Sequence, residues 1–169
     1  MIVHKNPYFS VSLKNDYYSI SFPTDQVIVL PVIDNSHILF IKAIRPVFAE
    51  PVIELPAGMV DEGETLKAAA LRELGEETGI ILSDQKRLKP LCSLNTIPSR
   101  TTQMLNIYQI DITIDEYETR IDHDNEVAGT LLLTYDKVIQ KIQSGEIFVA
   151  TTIAVCLKHI NLMCNKETS

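Results

Sequence analysis

The chain has 169 residues, 46 % of them hydrophobic, with 15 Lys and Arg against 22 Asp and Glu and a formal net charge of −7. That length fits a single domain, residues 1–169, able to bury roughly 70 % of its unfolded surface in one core. The negative balance argues against a nucleic-acid partner, whose phosphates call for clustered Lys and Arg.

No run of the chain approaches the ~20 apolar residues of a membrane span, so no membrane contact is expected. The start, Met1-Ile2-Val3-His4-Lys5-Asn6-Pro7, lacks the apolar core and cleavage site of a signal peptide, and the expected location is cytoplasmic. Val11 to Phe22 is rich in Tyr, Ser and Val and reads as one or two strands with a turn near Lys14-Asn15-Asp16. Val27 to Ile33 and His37 to Ala43 form a strand pair joined through Asp34-Asn35-Ser36. Pro31 is expected at an edge or a bulge, because it has no N–H to give a ladder. Val52 to Leu55 is a short strand running into Pro56-Ala57-Gly58.

A helix is predicted from about Thr65 to Thr78, with Leu66, Ala70 and Leu74 as its buried stripe and Gly79 as its stop. Strands follow at about Leu88 to Asn95 and Met104 to Ile114, with Thr96 to Thr102 as the loop between them. Asp115 to Glu126 is an acidic loop. Leu131 to Leu133 is a strand, Tyr135 to Gln143 a helix ended by Gly145, and Thr151 to Met163 the last helix. Three cysteines without a Cys-x-x-Cys pair offer neither a disulfide framework nor a zinc knuckle. Cys156 and Cys164 fall on the apolar side of the last helix with Ile153, Leu157 and Ile160, and Cys92 falls within a strand. All three read as core filler.

The chemistry is concentrated between Gly58 and Ile80. Glu73, Glu76 and Glu77 lie within about 100° of one another on a helix of 3.6 residues per turn, so three negative side chains share one patch. Like charges at i,i+4 destabilise a helix by roughly 0.2–0.5 kcal/mol, and acids in the last turns oppose the macrodipole. Gly75 costs about 1 kcal/mol of helix propensity relative to Ala. A hard divalent cation would turn this repulsive patch into an attractive one, with Mg²⁺ or Mn²⁺ the natural candidate. An arbitrary Glu cluster is more often a solvated helix face. Here the frame is fixed: Gly58, Glu64, Arg72-Glu73, aliphatic Leu74, Glu76-Glu77, Gly79, aliphatic Ile80. Such a frame recurs by chance in a chain this long on the order of once in ten million sequences.

Position for position, that frame resembles the signature of the Nudix hydrolases. The element order resembles the Nudix fold over most of the chain, an α/β (α+β mixed) architecture in which a mixed β-sheet is sandwiched between helices. Ile44-Arg45-Pro46, Glu54-Leu55-Pro56-Ala57-Gly58 and Gly145-Glu146-Ile147 ahead of an Ala-Thr-Thr helix start are similar to the ADP-ribose pyrophosphatase branch, which cleaves nucleoside diphosphates linked to a sugar or similar group. The resemblance implies an N-terminal β extension, residues 1–24, that helps build a homodimer.

It also implies roles at the site. Glu73 and Glu77 are the principal metal ligands, Glu76 a third ligand or a support, and the Ala57 carbonyl completes the shell around one to three ions. Gly58 lets that backbone approach, while Glu64 and Arg72 form a structural pair. A further acid comes from Asp122-His123-Asp124-Asn125-Glu126: Glu126 binds a metal, and Asp124 or Glu126 takes a proton from the attacking water. The branch often carries two glutamates there, and Asp124 is one methylene shorter. Arg45 and Arg100 are the expected phosphate contacts, since Arg meets phosphate oxygens bidentately, and Glu54 is counted with the substrate-binding residues.

The activity the resemblance implies is Mg²⁺-dependent hydrolysis of the pyrophosphate bond of a nucleoside diphosphate linked to another moiety, ADP-ribose or a related nucleotide sugar, giving AMP and ribose 5-phosphate from ADP-ribose. In the family it resembles, that frame alone also serves nucleoside triphosphates and dinucleoside polyphosphates. A module that binds nucleotides without cleaving them, and an acidic helix used for protein contact, are the readings outside enzymes.

Overall fold

A computed structural model describes residues 1–167, with side chains through residue 163. Two sheets organise it. The first is an antiparallel meander of β1 (Ile2–Lys5), β2 (Ser10–Lys14) and β3 (Tyr17–Ser21). Its tight turn places Asn15 and Asp16 at φ 50° and 59°, the left-handed pair that matches strand twist in a two-residue hairpin. β1 lay outside the predicted strands.

The second sheet has seven strands. β4 (Gln26–Ile33), β5 (His37–Ala43), β8 (Lys89–Leu94), β9 (Leu105–Ile112) and β10 (Val127–Thr134) lie in the order β10-β5-β4-β9-β8, and the short strands β6 (Val52–Glu54) and β7 (Ala57–Met59) pair β5 and β4. The β4–β9 pair is parallel and the other pairs are antiparallel. The sheet is therefore mixed.

β4 is apolar at every position from Val27 to Ile33 because both of its faces are covered. Val27, Val29 and Ile33 pack with Ala69, Ala70 and Leu74 of α1 (Leu66–Thr78). Ile28, Leu30 and Val32 face the other way, toward Val138 of α3 (Tyr135–Gln143) and Val155 and Cys156 of α4 (Ala150–Glu167). One sheet thus separates two cores. Cys156 is fully buried in the second, and partly buried Cys92 packs against it. Cys164 lies outside the described side chains.

Two expectations are corrected here. Pro31 sits inside the central strand, beside Ile110 of β9, and not at an edge. N–H groups alternate along a strand, so its missing donor falls on the side where Val29 N–H binds Pro56 O. On that side β4 pairs β7 only through Ile28 and meets β5 only from Val32, so Pro31 occupies the fork between two partners. The acidic stretch after β9 is also not all loop. It begins with α2 (Ile114–Glu118), whose Thr113 hydroxyl and Glu116 carboxylate form a reciprocal capping box.

Candidate active site

β7 delivers the chain to the acidic helix. Thr65 caps α1 by accepting from Ala68 N–H, and Gly79 ends it in the left-handed region at φ 75°. Gly79 also has a tertiary role. A Cβ built there would stand 1.9 Å from the Ile121 carbonyl oxygen. That close approach lets Ile121 N–H bond Gly79 O at 3.0 Å and Asp124 N–H bond Glu76 O at 2.8 Å, docking the acidic segment onto the end of the helix. Helix α1 and the distant loop thereby share one frame.

The three glutamates of the patch are not equivalent. Glu73 and Glu77 are buried, at 9 % and 6 % exposure, while Glu76 is exposed. The Glu73 carboxylate lies over Gly58, where a Cβ would meet Oε1 at 1.9 Å. Glu77 Oε2 accepts from Ala57 N–H at 2.8 Å. Burial pushes the Glu77 carboxyl up to about 8, with the negative charges of Glu73 and Asp124 adding and the Ala57 N–H and Arg45 opposing. Burial likewise raises Glu73, against the pull of Arg72.

Arg72 is the hub of this region. Its guanidinium donates to both oxygens of Glu64 at 3.2 and 3.1 Å, to Glu73 Oε1 at 2.8 Å, to Glu76 Oε2 at 3.0 Å and to the Met59 carbonyl at 2.8 Å. Asp61 stands 3.8 Å away. One fork of five N–H groups thus ties the loop after β7 to two turns of the helix.

These residues open onto a cavity of about 740 Å³. Glu73, Glu76, Glu77, Arg72, Ala57 and Gly58 line one part of it, together with Arg45, Glu54, Asp124 and Glu126. Arg45 is gripped by Glu54 through two hydrogen bonds, at 3.2 and 2.8 Å. Asp124 Oδ1 accepts from Glu126 N–H at 3.0 Å, and Ile44 N–H bonds Glu126 O at 2.9 Å. Further lining comes from Tyr8, Ile20, Phe22, Thr96, Ile97, Thr101, Gln103 and Thr151, and the last seven carry no local sequence signal for such a role. The first three reach it from the N-terminal segment, a placement that only tertiary structure reveals.

Arg100 is not part of this lining. Its guanidinium donates to the Tyr18 carbonyl at 3.0 Å and lies 4.9 Å from the Tyr17 ring centroid, a contact with the N-terminal sheet.

The donor set suits a hard cation: carboxylate oxygens with a backbone carbonyl nearby and no thiol or imidazole in the lining. Among the described residues no three His, Cys, Asp or Glu side chains close on a common point. Glu73 and Glu76 are turned onto Arg72, and Glu77 onto Ala57 N–H. The oxygens are gathered, and they are held by the chain's own donors.

Residues 23–150 match the family described as the NUDIX domain. The chain belongs to the Nudix hydrolase family. Relatives of this Nudix chain include an ADP-ribose pyrophosphatase of Bacillus subtilis (strain 168), 28 % identical over 137 residues that span 80 % of this chain and 71 % of that one. A methanol dehydrogenase activator of Bacillus methanolicus is 26 % identical over the same shares of each chain. The crystal structure of an ADP compounds hydrolase superposes with a TM-score of 0.72 over 98 % of this chain and 92 % of the other, at 17 % identity. That likeness establishes the Nudix fold.

Proposed function

We propose that this cavity hydrolyses the pyrophosphate bond of a nucleoside diphosphate linked to a second group, ADP-ribose or a related nucleotide sugar, with the help of Mg²⁺. The observation that carries the reading is the pair Glu73 and Glu77, two carboxylates buried side by side at the wall of a cavity large enough for a nucleotide. Buried acids at such cost are retained where charge is to be neutralised by a ligand. The relative in Bacillus subtilis supports the choice of ADP-ribose.

Glu73, Glu76, Glu77 and Glu126, with the Ala57 carbonyl, would hold one to three divalent ions, Mg²⁺ or Mn²⁺. When bound, such ions offset phosphate charge and acidify water. The chain's own residues do the rest. Arg45, held in orientation by Glu54, meets phosphate oxygens with the N–H groups of its fork. Asp124 or Glu126 accepts the proton of the attacking water, and the docking of Asp124 N–H on Glu76 O fixes that base relative to the helix. Arg72 and Glu64 keep the loop in place. Phosphoryl transfer needs chiefly positioning and charge neutralisation, so no covalent nucleophile is invoked.

We further propose a single catalytic unit whose N-terminal extension, residues 1–24, forms a homodimer. Met1 and, in the first sheet, Ile2 and Val3 are exposed apolar side chains that such a contact would cover. Sedimentation of the full chain tests this, and a monomer at micromolar concentration would refute it.

The activity is tested by incubating the protein with ADP-ribose, other nucleotide sugars, NADH, dinucleoside polyphosphates and nucleoside triphosphates, with and without Mg²⁺. AMP and ribose 5-phosphate are the expected products of ADP-ribose. Tight nucleotide binding with no turnover of any substrate would overturn hydrolysis.

A further inference from the structure

We infer that Arg100 is a positioning residue, pinning the segment between β8 and β9 to β3 and so fixing the uncharged wall of the cavity against which the substrate rests beyond its diphosphate. The inference rests on the pyrophosphohydrolase reading of the same cavity. It concerns the lining residues that carry no charge.

The segment 95–104 forms neither helix nor strand, and residues 96–100 are exposed. It nevertheless supplies Thr96, Ile97, Thr101 and Gln103 to the lining, facing Ile20 and Phe22 from the N-terminal side. An irregular loop makes a definite wall only if something holds it. Inside the loop, Asn95 donates to Thr101 O at 2.8 Å and to Gln103 O at 2.9 Å, and Ile97 N–H returns to Asn95 Oδ1 at 2.9 Å. These bonds shape the loop, and Gln103 Nε2 ties its far end to Thr24 O at 2.7 Å.

The tip of the loop is attached by Arg100 and its neighbours. β3 pairs β2 along one edge, which leaves its other edge open. Ile20 N–H on that open edge donates to Arg100 O at 2.7 Å, and the Arg100 guanidinium donates to Tyr18 O at 3.0 Å. The same guanidinium covers the Tyr17 ring, whose hydroxyl donates to the Ser99 carbonyl. Arg100 therefore caps an acceptor and a donor of one strand at once, and Ile20, the residue it captures, is itself a wall residue. Its guanidinium is engaged in this clasp.

The test compares wild type with Arg100→Ala and Arg100→Lys using ADP-ribose and Mg²⁺, with amide hydrogen exchange at Ile20 as a second readout. Arg100→Ala is expected to raise KM about fivefold to tenfold while kcat stays within about twofold, the pattern of lost binding without lost transition-state contact. Exchange at Ile20 N–H should accelerate by at least about tenfold. Arg100→Lys still donates to Tyr18 O and covers Tyr17, and is expected to recover most of the KM. An unchanged KM with unchanged Ile20 exchange would overturn the clasp. A fall in kcat at constant KM would overturn it too, by placing Arg100 at the reacting atoms. Should the wild type hydrolyse no nucleotide, the parent reading falls separately, and Ile20 exchange still decides whether Arg100 holds the wall.

Discussion

Gly58→Ala separates the site's geometry from the protein's stability. Gly58 lies in β7 with no left-handed φ, so alanine meets no backbone penalty there. The added Cβ would stand 1.9 Å from Glu73 Oε1, 2.1 Å from its carboxyl carbon and 2.5 Å from Oε2. Ordinary contact begins near 3.5 Å, so the carboxylate must retreat by roughly 1.5 Å. The obstacle is the far end of a flexible side chain, and folding free energy should change by less than about 1 kcal/mol. The retreat breaks the 2.8 Å bond to Arg72 and carries an oxygen away from the position a cation would use. Misplacement on this scale costs about 100-fold in rate. Initial rates of AMP release across a Mg²⁺ titration, beside a thermal melt of the same sample, read both quantities. A Gly58→Ala protein with wild-type rate would refute the assignment of Glu73, and a melt lowered by more than about 5 °C would show that the glycine serves the fold instead.

Glu77→Gln keeps an oxygen for Ala57 N–H and replaces a carboxyl whose ionised form burial disfavours, so activity should fall while stability does not. We expect kcat to fall at least ~100-fold while the melting temperature holds or rises, measured on one preparation. Gly79→Ala should do the reverse of Gly58→Ala. Its φ of 75° and the backbone carbonyl of Ile121 at 1.9 Å leave no cheap relief, and a loss of at least about 2 kcal/mol in urea denaturation is expected. The acid limb of stability should report the Arg87–Glu116 pair, whose contacts at 2.6 and 2.9 Å hold the Glu116 carboxyl at about 2, below its ordinary 4.5. A depressed carboxylate contributes fully above pH 4.5 and loses that contribution as pH falls toward 2. Glu116→Gln should therefore cost about 1 kcal/mol at pH 6 and much less at pH 2.5 by denaturant midpoint. Equal costs at both values would contradict the pairing.

What was legible from the chain follows from which interactions are local. Thr65, Leu66, Ala70, Leu74 and Gly79 carry cap, stripe and stop within one helix, and α1 appears with those limits. Asn15-Asp16 and Asp34-Asn35 accept left-handed φ, and both hairpins turn there. α2 announced itself through Thr113 and Glu116 at the capping-box spacing, a signal masked by the acidity around it. Periodicity placed Glu73, Glu76 and Glu77 on one face but could not tell that Gly58 and Ala57 cover two of them, because that cover arrives from β7. Pro31 obeys its usual avoidance of ladders at a fork that exists only once three strands have assembled. The contacts of Arg100 escape the sequence for the same reason: its Tyr18 partner lies 82 residues away, on a strand edge that no local pattern reveals.

Arg72 leaves one more consequence. A single guanidinium touches Glu64, Glu73 and Glu76 and has Asp61 close by, so the chain folds with an internal counter-ion already seated among its acids. A metal that takes Glu73 Oε1 or Glu76 Oε2 must evict an arm of that arginine, and occupancy there becomes an exchange of cations instead of the filling of a rigid cage. Selectivity at such a place depends on how readily the incumbent lets go.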